Sequence, residues 1–280
     1  MPSFRTSSVF RFSKEYESLT KILKTGIIPN FCEENLSFDR TEFVVGIPMA
    51  SFCDIPITLL DEHNNRYGNY GIALSKEWAI EKGLSPIMYI ANNDILQSVC
   101  YHHQRNKKVL DWYNREDVKQ QLANDTLIKG FPLDDFVKMM TAKQEHAINT
   151  YIIGYLKQYQ GEYQKRPINN YEENEWRYLV PDLEGTEWFW TKGDYMKWRF
   201  PNNNMNATKP APSKALRKYT LTFENKDISY VLIKNDEFKT RVIEYIKSLK
   251  TIGGNKITDE SQKDDLISKI ITLEQVKKDF

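Results

Sequence analysis

Apolar and polar positions alternate along Ser8-Val9-Phe10-Arg11-Phe12-Ser13, the pattern of a strand with one buried face. The spacing then changes to a helical one. Tyr16, Leu19, Ile22 and Leu23 form a stripe that opens at Ser13 ahead of Glu15 and Glu17, and it closes at Lys24-Thr25-Gly26, a basic last turn followed by a glycine able to take φ > 0. The run Phe43 to Cys53 is apolar on both faces and predicts a fully buried strand, although Pro48, with no N–H to give, argues for an edge or a bulge. After the turn Cys53-Asp54-Ile55-Pro56 the pattern predicts a short helix over Ile57 to His63, a glycine-containing turn over Arg66 to Gly71 and a strand over Ile72 to Ser75. A short helix from Lys76 to Lys82, stopped by Gly83, and a strand over Ile87 to Ile90 complete this part.

The middle of the chain reads differently. Ile95, Val99 and His102 or His103 between Asp94 and Tyr113, then Phe136, Met139, Met140, Ile148, Ile152, Tyr155, Leu156 and Tyr159, recur at helical spacing and predict a helical insertion over 94–160. A break is expected at Gly130-Phe131-Pro132. Strands return between Tyr171 and Trp198, at Glu175 to Val180 and Glu187 to Trp190, with a turn over Pro181 to Gly185, and Pro201 to Lys214 reads as a loop. Tyr219, Leu221 and Phe223 alternate as a strand, Ile228 to Ile233 reads as a buried one, and Asp236 to Thr251 as a helix. Beyond Gly253-Gly254 the pattern allows a last strand at Lys256 to Thr258 or a helix from Glu260 to Ile271. Together these elements predict a single α+β domain over 1–280, with a mostly antiparallel sheet core and a helical insertion.

Composition fits this picture. At 280 residues and 40% hydrophobic the chain can bury a core. With 39 basic against 38 acidic side chains the formal charge is +1, so nucleic acid and anionic membrane are not expected as partners, and any polyanion would have to be held locally. Apolar runs stop well short of the about 20 residues that cross a bilayer, and Met1 to Phe12 lacks an apolar signal core. Three widely spaced cysteines, Cys32, Cys53 and Cys100, fit a reducing compartment, and the expected location is the cytoplasm. His63, His102, His103 and His146 form no metal-binding spacing, so no metal is expected.

Three places carry polar side chains that a core would not need. Arg11 stands between Phe10 and Phe12, either facing solvent or offering its fork of donors to a phosphate or carboxylate. Met49 to Asp54, with Tyr67, Tyr70 and Ser75, could wall a cleft or simply pack. In Glu173-Asn174-Glu175-Trp176-Arg177, a strand would put both carboxylates and the guanidinium on one face. Such a group can polarise a sugar hydroxyl and stabilise a developing cation, or serve as plain surface charge. Trp176, Trp188, Trp190 and Trp198 would be protein-binding anchors where exposed, and packing residues otherwise.

The succession Phe10-Arg11-Phe12-Ser13-Lys14, Leu19-x-x-Ile22-Leu23-x-x-Gly26, Ile47-Pro48-Met49-x-x-Phe52-Cys53-Asp54-Ile55-Pro56, His63-x-x-x-Tyr67-Gly68-x-Tyr70-Gly71-Ile72-x-Leu74-Ser75-Lys76-Glu77-Trp78 and Glu175-Trp176-Arg177-Tyr178 resembles the bacterial abortive-infection AbiGi family, over at least residues 8–90 and 171–249. The resemblance implies phage defence as the antitoxin of a nucleotidyltransferase-like toxin, and so a cognate protein partner. A more distant likeness is to the ADP-ribosyltransferase fold. It implies NAD as substrate, with Arg11 on the pyrophosphate, Tyr70 or Ser75 lining the nicotinamide pocket, Glu175 holding the ribose and Glu173 orienting an unidentified acceptor. The first strand departs from that pattern, reading Phe-Arg-Phe-Ser where a histidine with a nearby threonine is usual. Three readings follow: an NAD-cleaving defence enzyme, a non-catalytic antitoxin that neutralises a toxin by binding it, or, least expected at this overall charge, a nucleic-acid-binding regulator that would rest on local basic clusters such as Arg105 to Lys108 and Lys214 to Lys218.

Overall fold

The computed structural model describes residues 6–59, 66–118, 120, 133–163, 166–181 and 190–279. The expected break at Gly130-Phe131-Pro132, most of the turn after Pro181, Trp188 and the end of the helix predicted up to His63 lie outside these residues.

The elements run β1 (Ser8–Ser13), α1 (Tyr16–Thr25), β2 (Asn30–Asn35), β3 (Val44–Cys53), β4 (Tyr70–Ser75), α2 (Lys76–Glu81), β5 (Ser85–Pro86), β6 (Met88–Ile90), α3 (Asn93–Tyr113) and α4 (Leu133–Gly154). There follow β7 (Leu156–Gln158), β8 (Gln160–Tyr163), β9 (Arg166–Asn169), β10 (Glu175–Leu179), β11 (Trp190–Thr191), α5 (Lys192–Arg199) and α6 (Lys214–Arg217). The chain then forms β12 (Ile228–Ile233), α7 (Glu237–Ser248), β13 (Thr251–Ile252), β14 (Asn255–Lys256), α8 (Ser261–Ser268), β15 (Ile270–Thr272) and α9 (Leu273–Asp279).

The main sheet has the order β15-β12-β4-β1-β3-β10-β5, with β2 and β11 also on β3, and every pair is antiparallel except β12 with β15. β3 takes two partners along each edge. One edge carries β2 opposite Val44 to Met49 and β1 opposite Cys53; the other carries β11 opposite Val45 and Gly46 and β10 opposite Met49 to Cys53. Pro48 therefore sits inside a central strand, at the break between β10 and β11. Its carbonyl accepts the Val180 N–H at 3.1 Å, and its missing N–H costs no ladder bond there.

Alternation along the paired strands separates two cores. On one face Val9, Ala50, Phe52, Ile72 and Val231 meet Leu19 and Leu23 of α1, Trp78 of α2 and Val242 and Ile246 of α7. On the other, Phe10, Cys53, Ala73 and Leu232 form one cluster, and Val45, Ile47 and Met49 meet Leu96, Cys100, Ile153 and Leu156 at the root of the helical insertion. Gly26 stops α1 at φ 86°, its N–H on the Ile22 carbonyl at 2.9 Å.

The insertion starts after β6 and ends before β7, which pair in parallel with Met88 opposite Leu156. Between them α3 and α4 lie side by side, with His103 stacked on His146 at 4.4 Å and the Asn106 side-chain amide donating to Glu145 at 3.1 Å. The helix expected up to Tyr159 ends at Gly154, and the chain goes on as a strand. A Cβ at Gly154 would lie 2.4 Å from Leu179 Cδ1, so β10 crosses too closely for a side chain at that point. Residues 192–199, expected among strands, form α5, capped by the Thr191 side chain on the Asp194 N–H. Leu221 and Phe223 make isolated bridges to Ile27 and Gly254 in place of the expected strand.

Candidate functional site

Because β1 and β2 share one edge of β3, Ala50 to Phe52 have no strand partner between them on that side. Arg11 fills the split: its Nη1 donates to the Ser51 carbonyl at 2.7 Å, replacing the ladder bond that a strand would have made. A cavity of about 250 Å³ opens here, lined by Phe10, Arg11 and Phe12 of β1, Cys32 to Glu34 of β2, Met49 and Ser51 to Cys53 of β3, and Glu175 and Arg177 of β10, together with Tyr67, Lys157 and Glu173.

Its floor is a buried charge network. Arg177, fully buried, gives Nε to Glu175 Oε1 at 2.7 Å and Nη2 to Glu175 Oε2 at 3.2 Å and to Glu34. Its Nη1 donates to the carbonyls of Gly154 (2.9 Å) and Leu156 (3.2 Å), where α4 passes into β7. Lys157, next in that strand, bridges Glu173 at 2.6 Å and Glu175 at 2.9 Å. Glu173 also accepts Arg66 at 3.2 Å and the Tyr67 hydroxyl. Glu173 belongs to a 3₁₀ turn (Asn170–Glu173), and Asn174, at φ 41°, swings the chain from that turn into β10 so that both carboxylates meet the same lysine.

Charge partners set the protonation of the network. Burial pushes both Glu175 and Glu34 upward, but Glu175 has Arg177 and Lys157 on its two oxygens and is held well below the usual carboxylate range. Glu34, with a close bond to Arg177 alone, stays above that range, its burial outweighing the guanidinium. Burial disfavours charge on Lys157 and Arg177 as well, yet the surrounding carboxylates raise both above their ordinary values. Burial and then Glu173 lift the Tyr67 phenol, so it remains a hydrogen-bond donor, and burial with Glu173 and Glu175 lifts the Cys53 thiol out of the nucleophilic range.

Of the residues singled out from the sequence, Arg11, Met49, Ser51 to Cys53, Tyr67, Glu173, Glu175 and Arg177 meet at this cavity. Tyr70 does not: it packs in the opposite core against Tyr16 and Phe238. Ser75 caps α2, its hydroxyl accepting the Trp78 N–H at 3.1 Å. Trp176 borders the main core, while Trp190 stacks on Phe31 with Trp198 edge-on to both. Glu34, Arg66 and Lys157 were not anticipated. Glu34 carried one usable signal, its alternation with Cys32 on a strand. Among the described residues no group of three or more His, Cys, Asp or Glu could hold a metal, and no helix is long and apolar enough to cross a membrane.

A second surface stands apart from the cavity. The helical pair leaves Ile95, Tyr101 and Trp112 of α3 and Val137, Met140, Ile148 and Tyr151 of α4 exposed, Tyr101 at 62% and Trp112 at 50%. A groove of about 640 Å³ runs between the helices, lined by Val109, Trp112, Val137 and Ala142 with Arg105, Lys108 and Lys138 beside them.

Comparison with known proteins finds a family for the chain. The family described as "Putative abortive phage resistance protein AbiGi, antitoxin" matches residues 25–234. The chain is 26% identical over 245 residues to the abortive phage resistance protein AbiGi of Lactococcus lactis subsp. cremoris, covering 84% of this chain and 89% of that relative. No solved structure matches.

Proposed function

The chain belongs to the AbiGi family of abortive phage resistance proteins, and from that premise we propose that it is the antitoxin of a defence pair, acting by direct binding of its toxin through the helical insertion. One observation carries this reading: Trp112 and Val137, two exposed large side chains, line a groove between α3 and α4 that Arg105, Lys108 and Lys138 flank. Soluble proteins rarely leave such a patch unless something covers it, and tryptophan, tyrosine and arginine are the residue types on which protein interfaces concentrate their energy. The tryptophan-rich segment after Tyr171, the other candidate anchor region, spends Trp190 and Trp198 on packing around Phe31. The test is co-expression with the neighbouring toxin, a nucleotidyltransferase-like protein on the family resemblance. The tagged chain should restore growth and co-purify with the toxin. Trp112→Ala with Val137→Ser should abolish both while leaving thermal stability within about 2 °C, and full rescue by the double variant refutes the assignment.

A second reading has its own support, since Arg11 and Glu175, 164 positions apart in sequence, line the same cavity. In that reading an ionised Glu175 stabilises the cation that develops as NAD loses nicotinamide, with Arg11 on the pyrophosphate, as in an ADP-ribosyltransferase. The geometry fits this less well. Both Glu175 oxygens are engaged by cations, which offset its field, and about 250 Å³ lies below the about 300–1,000 Å³ usual for small-molecule sites and takes only part of a dinucleotide. Incubation of the chain with NAD decides it: NAD loss that disappears in Glu175→Gln supports cleavage, and unchanged NAD refutes it.

A further inference from the structure

Between Asp194 and Glu224 the chain carries six of its 39 cations and none of its 38 carboxylates, an imbalance that the overall charge of +1 averages away. The six are Lys197, Arg199, Lys209, Lys214, Arg217 and Lys218, and all but the half-buried Arg199 are exposed. They belong to one structural unit. Tyr195 and Leu216 share a small core with Phe31 and Val180, the Arg199 Nη1 reaches back to the Ala207 carbonyl at 2.7 Å, and Lys209 lies 6.0 Å over the Trp198 ring. Aromatic rings interleave with the charges: Arg199 covers Phe200 at 4.4 Å, and Lys218 lies 5.4 Å over Tyr219.

Within this unit, between α5 and the proline-rich stretch that leads to α6, stands Asn202-Asn203-Asn204-Met205-Asn206, exposed throughout. Asn202 and Asn203 both take φ 57°, which turns the chain back on itself, and Met205 projects with 64% of its surface exposed. Side-chain amides can pair with base edges, a flexible thioether can pack on a base face, and cations on either side can neutralise phosphates. A purely anionic protein partner would make no use of the amides, the rings or the methionine. A duplex reader needs an element that enters a groove, whereas α5 has eight residues and α6 four.

We propose that this segment, residues 197–218, binds single-stranded nucleic acid, with the cations on the backbone and the Asn-Met stretch on the bases. The site is distinct from both the charged cavity and the helical groove, and it does not depend on the antitoxin reading. RNA and DNA share the recognised chemistry and are separated by the assay.

The test is fluorescence anisotropy of the full chain with labelled 20-nucleotide oligo(U) RNA, oligo(dT) DNA and a 20-base-pair duplex between 50 and 200 mM NaCl. At least one single strand should bind about tenfold or more tighter than the duplex, with log affinity falling linearly with log salt. Replacing the exposed Lys197, Lys214 and Arg217 by glutamine should shrink that slope by about 2, at about 0.7 per lost phosphate contact on a single strand. Met205→Ala should weaken single-strand binding about fivefold, leave the salt slope unchanged and leave heparin binding unchanged. The tighter of the two single strands identifies the natural class. Absence of binding at 50 mM NaCl, equal affinity for the duplex, or a Met205→Ala variant indistinguishable from the parent overturns the proposal.

Discussion

Arg177 offers the sharpest test of how the cavity floor is held. Its guanidinium is fully buried and reaches two carboxylates, Glu175 and Glu34, and two main-chain carbonyls, Gly154 and Leu156. Arg177→Met keeps much of the volume and removes every one of these bonds. Breaking a buried ion pair on one side costs about 3–5 kcal/mol, and two orphaned carbonyls add about 1 kcal/mol each, so the expected loss is about 5 kcal/mol or more. That is a large share of the about 5–15 kcal/mol by which a domain is stable. Glu34→Gln should cost far less, about 1–2 kcal/mol, because Arg177 keeps Glu175 and burial already disfavours the Glu34 charge. Urea unfolding followed by tryptophan fluorescence gives these values. Glu175→Gln closes the cycle: its cost beside Arg177 should shrink beside Met, where Glu175 keeps only its Lys157 partner. The reasoning fails if Arg177→Met costs less than about 1 kcal/mol, or if Glu175→Gln has the same effect in both backgrounds.

Two further outcomes follow from local geometry. Burial, and then the stacked His146 and Lys107, hold the His103 imidazole at about 4 against an ordinary 6.5, so the unfolded chain takes a proton there before the folded one does. The stability tied to a neutral His103 is therefore complete above about pH 6.5 and is lost as pH falls towards 4, by up to about 3 kcal/mol; melting temperatures of His103→Gln should depend less on pH across that window. Gly68 stands at φ 112°, and a Cβ there would lie 2.1 Å from the Ser13 carbonyl oxygen and 2.4 Å from the Lys14 nitrogen. Gly68→Ala should cost about 3 kcal/mol in urea unfolding, and an unaffected variant would mean that the chain around Tyr67 runs differently.

Much of the sheet was legible because alternation is a direct trace of a pleated face. Ser8–Ser13 and Ile228–Ile233 coincide with the strands read from the sequence, and the pattern places Val44–Cys53 and Glu175–Leu179 to within a residue at one end. Periodicity overshot where it met Gly154. Ile152, Tyr155, Leu156 and Tyr159 keep a helical rhythm past a glycine that the neighbouring β10 requires, and three-dimensional crowding leaves no mark on spacing. The Glu175–Arg177 pair was visible because residues two apart on a strand share a face. The rest of the network was not, since Glu34 and Lys157 arrive from separate elements and a charge cluster assembled by folding has no sequence period. Tyr70 and Ser75 look polar in a one-dimensional reading, yet one is a core aromatic and the other a helix cap.

The carbonyls that Arg177 holds are those through which the outer helical pair returns to the sheet, and the carboxylates it holds belong to the strands beneath the hollow. That one side chain gears the two regions together. Any change at Gly154 to Leu156 therefore meets the same guanidinium that fixes Glu175 and Glu34 beneath the hollow.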